Sequence, residues 1–130
     1  MAIRIGLILL GVSQLFLGLW MIVDPGSFFD HVGGFGVQND HYIRDNATWA
    51  LTLGVVALIA AWRPSWRLPV FVFAALQFTL HTINHIADAG KAVASTNGAA
   101  DAVELGLGAL LLVALAVLCA RDVQSSAARP

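Results

Sequence analysis

Read for its apolar and polar positions, the chain resolves into four long apolar runs separated by short polar or glycine-rich segments. The runs cover about residues 5–23, 46–62, 68–88 and 101–120. A helix needs about 20 residues to cross a bilayer core of about 30 Å, with about 17 as the lower limit. The second run sits at that limit and needs a helix that starts early, near Asp45. Asp24-Pro25-Gly26 ends the first run, Arg63-Pro64 the second and Arg121-Asp122 the fourth. Backbone polar groups in lipid must be satisfied within their own segment, so helices are the expected form of all four. The pattern predicts an all-α, integral membrane four-helix bundle over residues 1–122 and a disordered cytoplasmic tail at 123–130. Arg4 followed by an apolar stretch also fits a signal peptide, but the length of the stretch and the residues after it favour a retained helix.

Composition agrees with the periodicity. Hydrophobic residues make up 58% and charged residues 12%, where an ordinary soluble domain carries about 25% charged residues. Mean hydropathy is +0.79. A net charge of −1 argues against a nucleic-acid partner. Cys119 is the single cysteine, which excludes an internal disulfide and a paired-thiol motif; inside an apolar run it reads as a small packing residue.

Charge also orients the bundle. With the N-terminus inside, Arg4, Arg63, Arg67, Arg121 and Arg129 fall on the cytoplasmic side and only Arg44 and Lys91 outside. This predicts an N-in/C-in, multi-pass protein of a plasma membrane, as in a bacterial inner membrane. Trp20, Trp49, Trp62 and Trp66 lie near span ends, as interfacial anchors do. The first outer loop, DPGSFFDHVGGFGVQNDHYIRDN, is longer than a hairpin requires. Its Phe28, Phe29 and Phe35 are expected to lie on the membrane surface. The second outer loop, AGKAVASTNGAAD, reads as a flexible connection with a turn at Asn97-Gly98.

The chemistry concentrates at the end of the third run. Gln77, His81, Asn84, His85 and Asp88 follow one another at spacings of 4, 3, 1 and 3, which places them on one side of a helix. Polar groups are expensive in lipid, so such a row marks a functional site. His81 and His85, four apart, have the spacing of two imidazole ligands to one metal. Glu104, a turn into the fourth run, is expected at a similar depth as a third ligand or base; two histidines and a carboxylate suit a divalent zinc, iron or manganese ion. An imidazole also titrates near neutrality, so His81 and His85 equally suit metal-free acid/base chemistry. His41 and Asp45, again four apart, enter the second helix at the same outer end, with Asp45 a further acid/base candidate. Arg44 is placed to hold a substrate or to pair with Asp88 or Asp101; Asn84, Gln77, Asp88 and His41 would complete the substrate contacts. Asp45 or Asn46 alternatively caps the second helix. A haem would need His31 or His41 opposite the stripe.

Gln14 in the first run, flanked by Gly11 and Gly18, reads first as a close helix contact. Together Gln14, Thr52, Gln77, His81 and Glu104 could instead line an inward cavity. Gly106, Gly108 and Ala109 permit close helix contact in a homo-oligomer or a larger membrane complex.

The GLILLGVSQLFLGLWMIVDP first run, the RDN of the second and the LHTINHIAD end of the third resemble small bacterial four-helix membrane proteins of the DoxX-like group. The resemblance implies the bundle fold. Some of that broad architecture act on quinones, thiols or lipids, but the paired cysteines that thiol chemistry requires are missing here. A weaker resemblance, in residue types alone, links the chain to sterol-isomerase-type bundles with His and Glu in a cavity. Two functions follow as expectations. One is a membrane enzyme or metal-binding protein acting on a small lipophilic molecule through an outward-facing pocket. The other is a binding, transport or accessory subunit whose stripe serves packing or partner contact.

Overall fold

The computed structural model describes residues 1–127. Four long helices are present: α1 (Ala2–Val23), α3 (Asp40–Trp62), α4 (Pro64–Asp88) and α5 (Gly98–Ala127), with a short α2 (Pro25–His31) after the first. A 3₁₀ turn, Ala89–Lys91, follows α4, and no strand occurs among the described residues. All four long helices are long and apolar enough to cross a membrane. Side chains such as Leu9, Phe16, Ile59, Leu80, Leu107 and Leu110 are turned outwards along them. An exposed apolar surface of that extent suits a lipid solvent, not water.

Helix ends explain where the boundaries depart from the apolar runs. α3 begins at Asp40 because the Asn39 side chain accepts from the backbone N–H groups of His41 and Tyr42. Asp45 and Asn46 are therefore inside the helix and do not cap it. Asp24 caps α2 by accepting from Ser27 N–H at 3.0 Å. Asn97 caps α5 by accepting from Ala100 N–H at 3.1 Å. At the other end α5 runs on to Ala127, so the tail expected from residue 123 is helical that far; residues 128–130 lie outside the described residues. Pro64 opens α4, where a missing N–H costs nothing. Arg67 donates to the carbonyls of Ala60 and Ala61 at the end of α3.

The helices pack as two close pairs, α1 with α3 and α4 with α5. Glycines bring the first pair together. A Cβ on Gly54 would lie 2.8 Å from the Leu15 side chain and 3.0 Å from the Gly11 carbonyl oxygen, and one on Gly18 would meet Leu51 at 2.7 Å. In the second pair Gly106 faces Thr82 and Gly108 faces the Phe78 ring, so these small residues serve contacts within the chain. One buried cluster joins both pairs at the end that carries the termini. It includes Leu7, Ala57, Ala60, Phe71, Ala74, Leu115 and Cys119, with Phe71 and Leu7 fully buried. Small alanines let the helices approach while the Phe71 ring fills the centre.

Towards the opposite end this joint stops. The second buried cluster, Met21, Ala47 and Ala50, belongs to α1 and α3 alone, with Phe28 of α2 against it. The two pairs are thus no longer held together by buried side chains, and the space between them is covered by loops. Those loops are bound to each other. Gly34 and Val93 are joined by a Val93 N–H to Gly34 carbonyl bond of 2.8 Å, Gly36 N–H donates to the Lys91 carbonyl, and Gly34 N–H donates to Thr96 Oγ1 at 3.0 Å. The Ser95 hydroxyl and N–H both donate to the Asp30 carbonyl. The segment between α4 and α5 is therefore half of a lid and not a free connection. Nor do the phenylalanines lie outward: Phe29 is buried, Phe28 meets the Trp20 ring edge-on with centroids 5.8 Å apart, and Phe35 points at His85.

Candidate functional site: a polar cavity beneath the lid

Where the helix pairs separate, they leave a partly open cavity of ≈ 690 Å³. That lies within the range of about 300–1,000 Å³ typical of small-molecule sites. Its walls come from all four long helices and from the lid. α1 supplies Gln14, Leu17 and Met21; α3 supplies Tyr42, Asn46, Trp49 and Leu53. α4 supplies Phe73, Gln77, Phe78, His81 and His85, and α5 supplies Asp101, Glu104 and Leu105. Phe28, Phe29 and Phe35 roof it. One part of the wall is therefore aromatic and aliphatic, and another carries two imidazoles, two carboxyl groups and the amides of Gln14, Asn39, Asn46 and Gln77.

The imidazoles sit one turn apart on α4 and their rings meet edge to face, with centroids 4.6 Å apart. Phe35 approaches the other imidazole, His85, edge to face at 4.7 Å. This stack positions His85 against the lid. Its Nδ1 is buried and finds no hydrogen-bond partner in the protein, and the same holds for Oδ2 of Asp101. Asp101 is in the first turn of α5 and, like Asp88, lies close enough to act electrostatically on His85. A buried polar atom without a partner costs about 1–3 kcal/mol, so a native fold that keeps two of them beside one cavity requires a reason.

Of the residues singled out by spacing, Gln77, His81, His85 and Glu104 all face this cavity, as does Gln14. Thr52 lies in an adjoining groove and donates to the Thr48 carbonyl at 2.7 Å. The stripe is narrower than its spacing implied, since Asn84 is exposed and outside the cavity. Asp88 also lies outside it, paired with Lys91 at 2.7 Å, so the expected pairing of Arg44 with Asp88 does not form. Arg44 is exposed, and His41 and Asp45 pair with each other at 3.4 Å on the surface. These three are on the outward side of α3 and do not reach the cavity. His31 bonds to the Ser27 carbonyl at 2.8 Å, so neither loop histidine stands opposite the stripe as a haem would require.

The metal expectation is not met by the geometry. Among the described residues no three His, Cys, Asp or Glu side chains gather closely enough to hold an ion. His81 and His85 make a ring-packing contact, and Glu104 does not complete a ligand set with them. What the spacing could not reveal were Phe35, Tyr42, Asn46 and Trp49. The one available signal was the Gly33-Gly34-Phe35-Gly36 run, which frees the backbone around a single aromatic ring. Gly36 has φ +68, and a Cβ on Gly34 would stand 2.7 Å from the Val93 carbonyl oxygen and 2.8 Å from that of Phe29.

Set against family models, curated proteins and solved structures, the chain matches none of them.

Proposed function

We propose that this is a multi-pass protein of a bacterial inner membrane that binds a small lipophilic molecule beneath its lid. In this reading His81 and His85 exchange protons or hydrogen bonds with the ligand. The observation that carries it is the pair of unpartnered buried atoms, His85 Nδ1 and Asp101 Oδ2, at the wall of an otherwise largely apolar cavity. Buried polar atoms are paired in most native folds, so two unpaired ones in one cavity lining support a ligand there over packing alone. Glu104 and Gln77 supply further polar contacts, and a neutral imidazole offers one donor and one acceptor. The arginine distribution supports an N-in/C-in arrangement with the lid outside. A DoxX-like affiliation belongs to the same proposal and rests on the first-run and LHTINHIAD motifs.

The test is extraction of the protein from membranes directly into polymer nanodiscs, followed by mass spectrometry of the bound organic molecules. Native protein is expected to retain one lipophilic species at near-stoichiometric level. The His81→Phe/His85→Phe variant is expected to lose it. Native protein carrying nothing beyond the bulk lipid profile would contradict the proposal.

A further inference from the structure

A second, strongly apolar hollow of ≈ 550 Å³ lies on the flank of the bundle between α3 and α4, lined by Trp49, Thr52, Val56, Trp66, Pro69 and Phe73 among others. Trp49, Leu53 and Phe73 belong to both hollows. The polar chamber and this groove on the flank of the bundle are therefore neighbours that share one wall at the α3–α4 seam.

The charge of the chamber is equally one-sided. Asp101 and Glu104 line it, and among the described residues neither a lysine nor an arginine does. Arg44 is exposed on the far side of α3, and Lys91 is held by Asp88. The unpartnered Asp101 Oδ2 is an acceptor, and the neutral His85 ring can present a second one. Such a lining meets a head group that donates hydrogen bonds and carries positive charge; it repels a phosphate or carboxylate.

From these two features we infer that the ligand is a single-tailed cationic amphiphile, a long-chain amine. Its ammonium head sits against Asp101, Glu104 and His85, and its tail passes the shared Trp49–Leu53–Phe73 wall into the flank groove and the bilayer. The inference rests on the lipophilic-ligand reading above and narrows it to one head-group chemistry and one route. An ammonium donates three hydrogen bonds, which matches the acceptors along this wall. A charge-assisted hydrogen bond contributes about 1.5–3 kcal/mol, which corresponds to about tenfold in affinity or more.

The experiment compares three tail-brominated amphiphiles of equal chain length, an amine, an alcohol and a carboxylate, in phosphatidylcholine nanodiscs. The readout is quenching of Trp49 in a Trp20→Phe/Trp62→Phe/Trp66→Phe variant, with native mass spectrometry of the unaltered protein as a second measure of binding. The amine is expected to bind about tenfold more tightly than the other two. It should quench Trp49, and its advantage over the alcohol should disappear in Asp101→Asn/Glu104→Gln. Equal binding of amine and alcohol, or preference for the carboxylate, overturns the head-group assignment and leaves the cavity reading standing. Amine binding without Trp49 quenching overturns the lateral route. Binding of none of the three overturns the inference and the lipophilic-ligand reading together.

Discussion

The two ends of this bundle are built from the same four helices and solve opposite problems. At the termini end, Phe71, Leu7 and a set of alanines form one buried cluster that joins the helix pairs. At the lid end the same pairs stand apart around a chamber, and the buried residues left there join α1 only to α3. Among the described residues, the buried polar atoms without partners, His85 Nδ1 and Asp101 Oδ2, are both at the open end. Stability and the proposed binding thus fall to different halves. The lid is the device that allows this, since it spans the gap with loop-to-loop hydrogen bonds and the Phe35 ring set against His85.

The largest effect that would break the contrast lies at the closed end. Phe71→Ala empties the centre of the joint between the pairs, and large-to-small changes at fully buried aromatics cost about 3–5 kcal/mol. Unfolding of the variant in mixed micelles should show a loss of that order. A loss under about 1 kcal/mol would mean that the helix pairs are not held together there. A smaller and more local effect is expected at the lid. In Gly34→Ala the new methyl meets two backbone carbonyls that cannot swing away, and such overpacking costs about 1–3 kcal/mol. Hydrogen exchange at residues 92–97 should speed up markedly, with the amides of α1 and α3 near Gly11 and Gly54 unchanged. Faster exchange spread evenly over the whole bundle would show that the lid and the helix core are one cooperative unit.

Legibility in the sequence followed the same division. Four apolar runs separated by Pro, Gly and charge are a long-range average over many residues, so the spans and their all-helical form could be read directly. Their ends could not, because capping depends on one side chain: Asn39 starts α3 six residues before the apolar run begins. That His81, His85, Gln77 and Glu104 face one cavity was legible since helical spacing fixes direction along a known axis. Gln14 was harder, because a polar residue beside glycines fits a helix contact as well as a cavity wall; the glycines turned out to face α3 while Gln14 faces the chamber. Asn84, Arg44, Asp45 and His41 point elsewhere because helix rotation about its own axis is set by tertiary packing, which spacing does not contain. The lid was illegible for a plainer reason. Its bonds join residues such as Gly34 and Thr96, far apart in the chain and unmarked by any periodicity.

The central claim is that the open half is kept open for a ligand at some cost in stability. His85→Phe tests it most directly, since it preserves the ring that touches Phe35 and His81 while removing the unpartnered nitrogen. Unfolding and ligand retention should be measured on the same nanodisc preparation. The account predicts a protein as stable as the native one, or more stable by up to about 1–3 kcal/mol, that has lost its lipophilic ligand. A variant that is clearly less stable and keeps the same bound species would show instead that His85 serves packing, and the claim would fall.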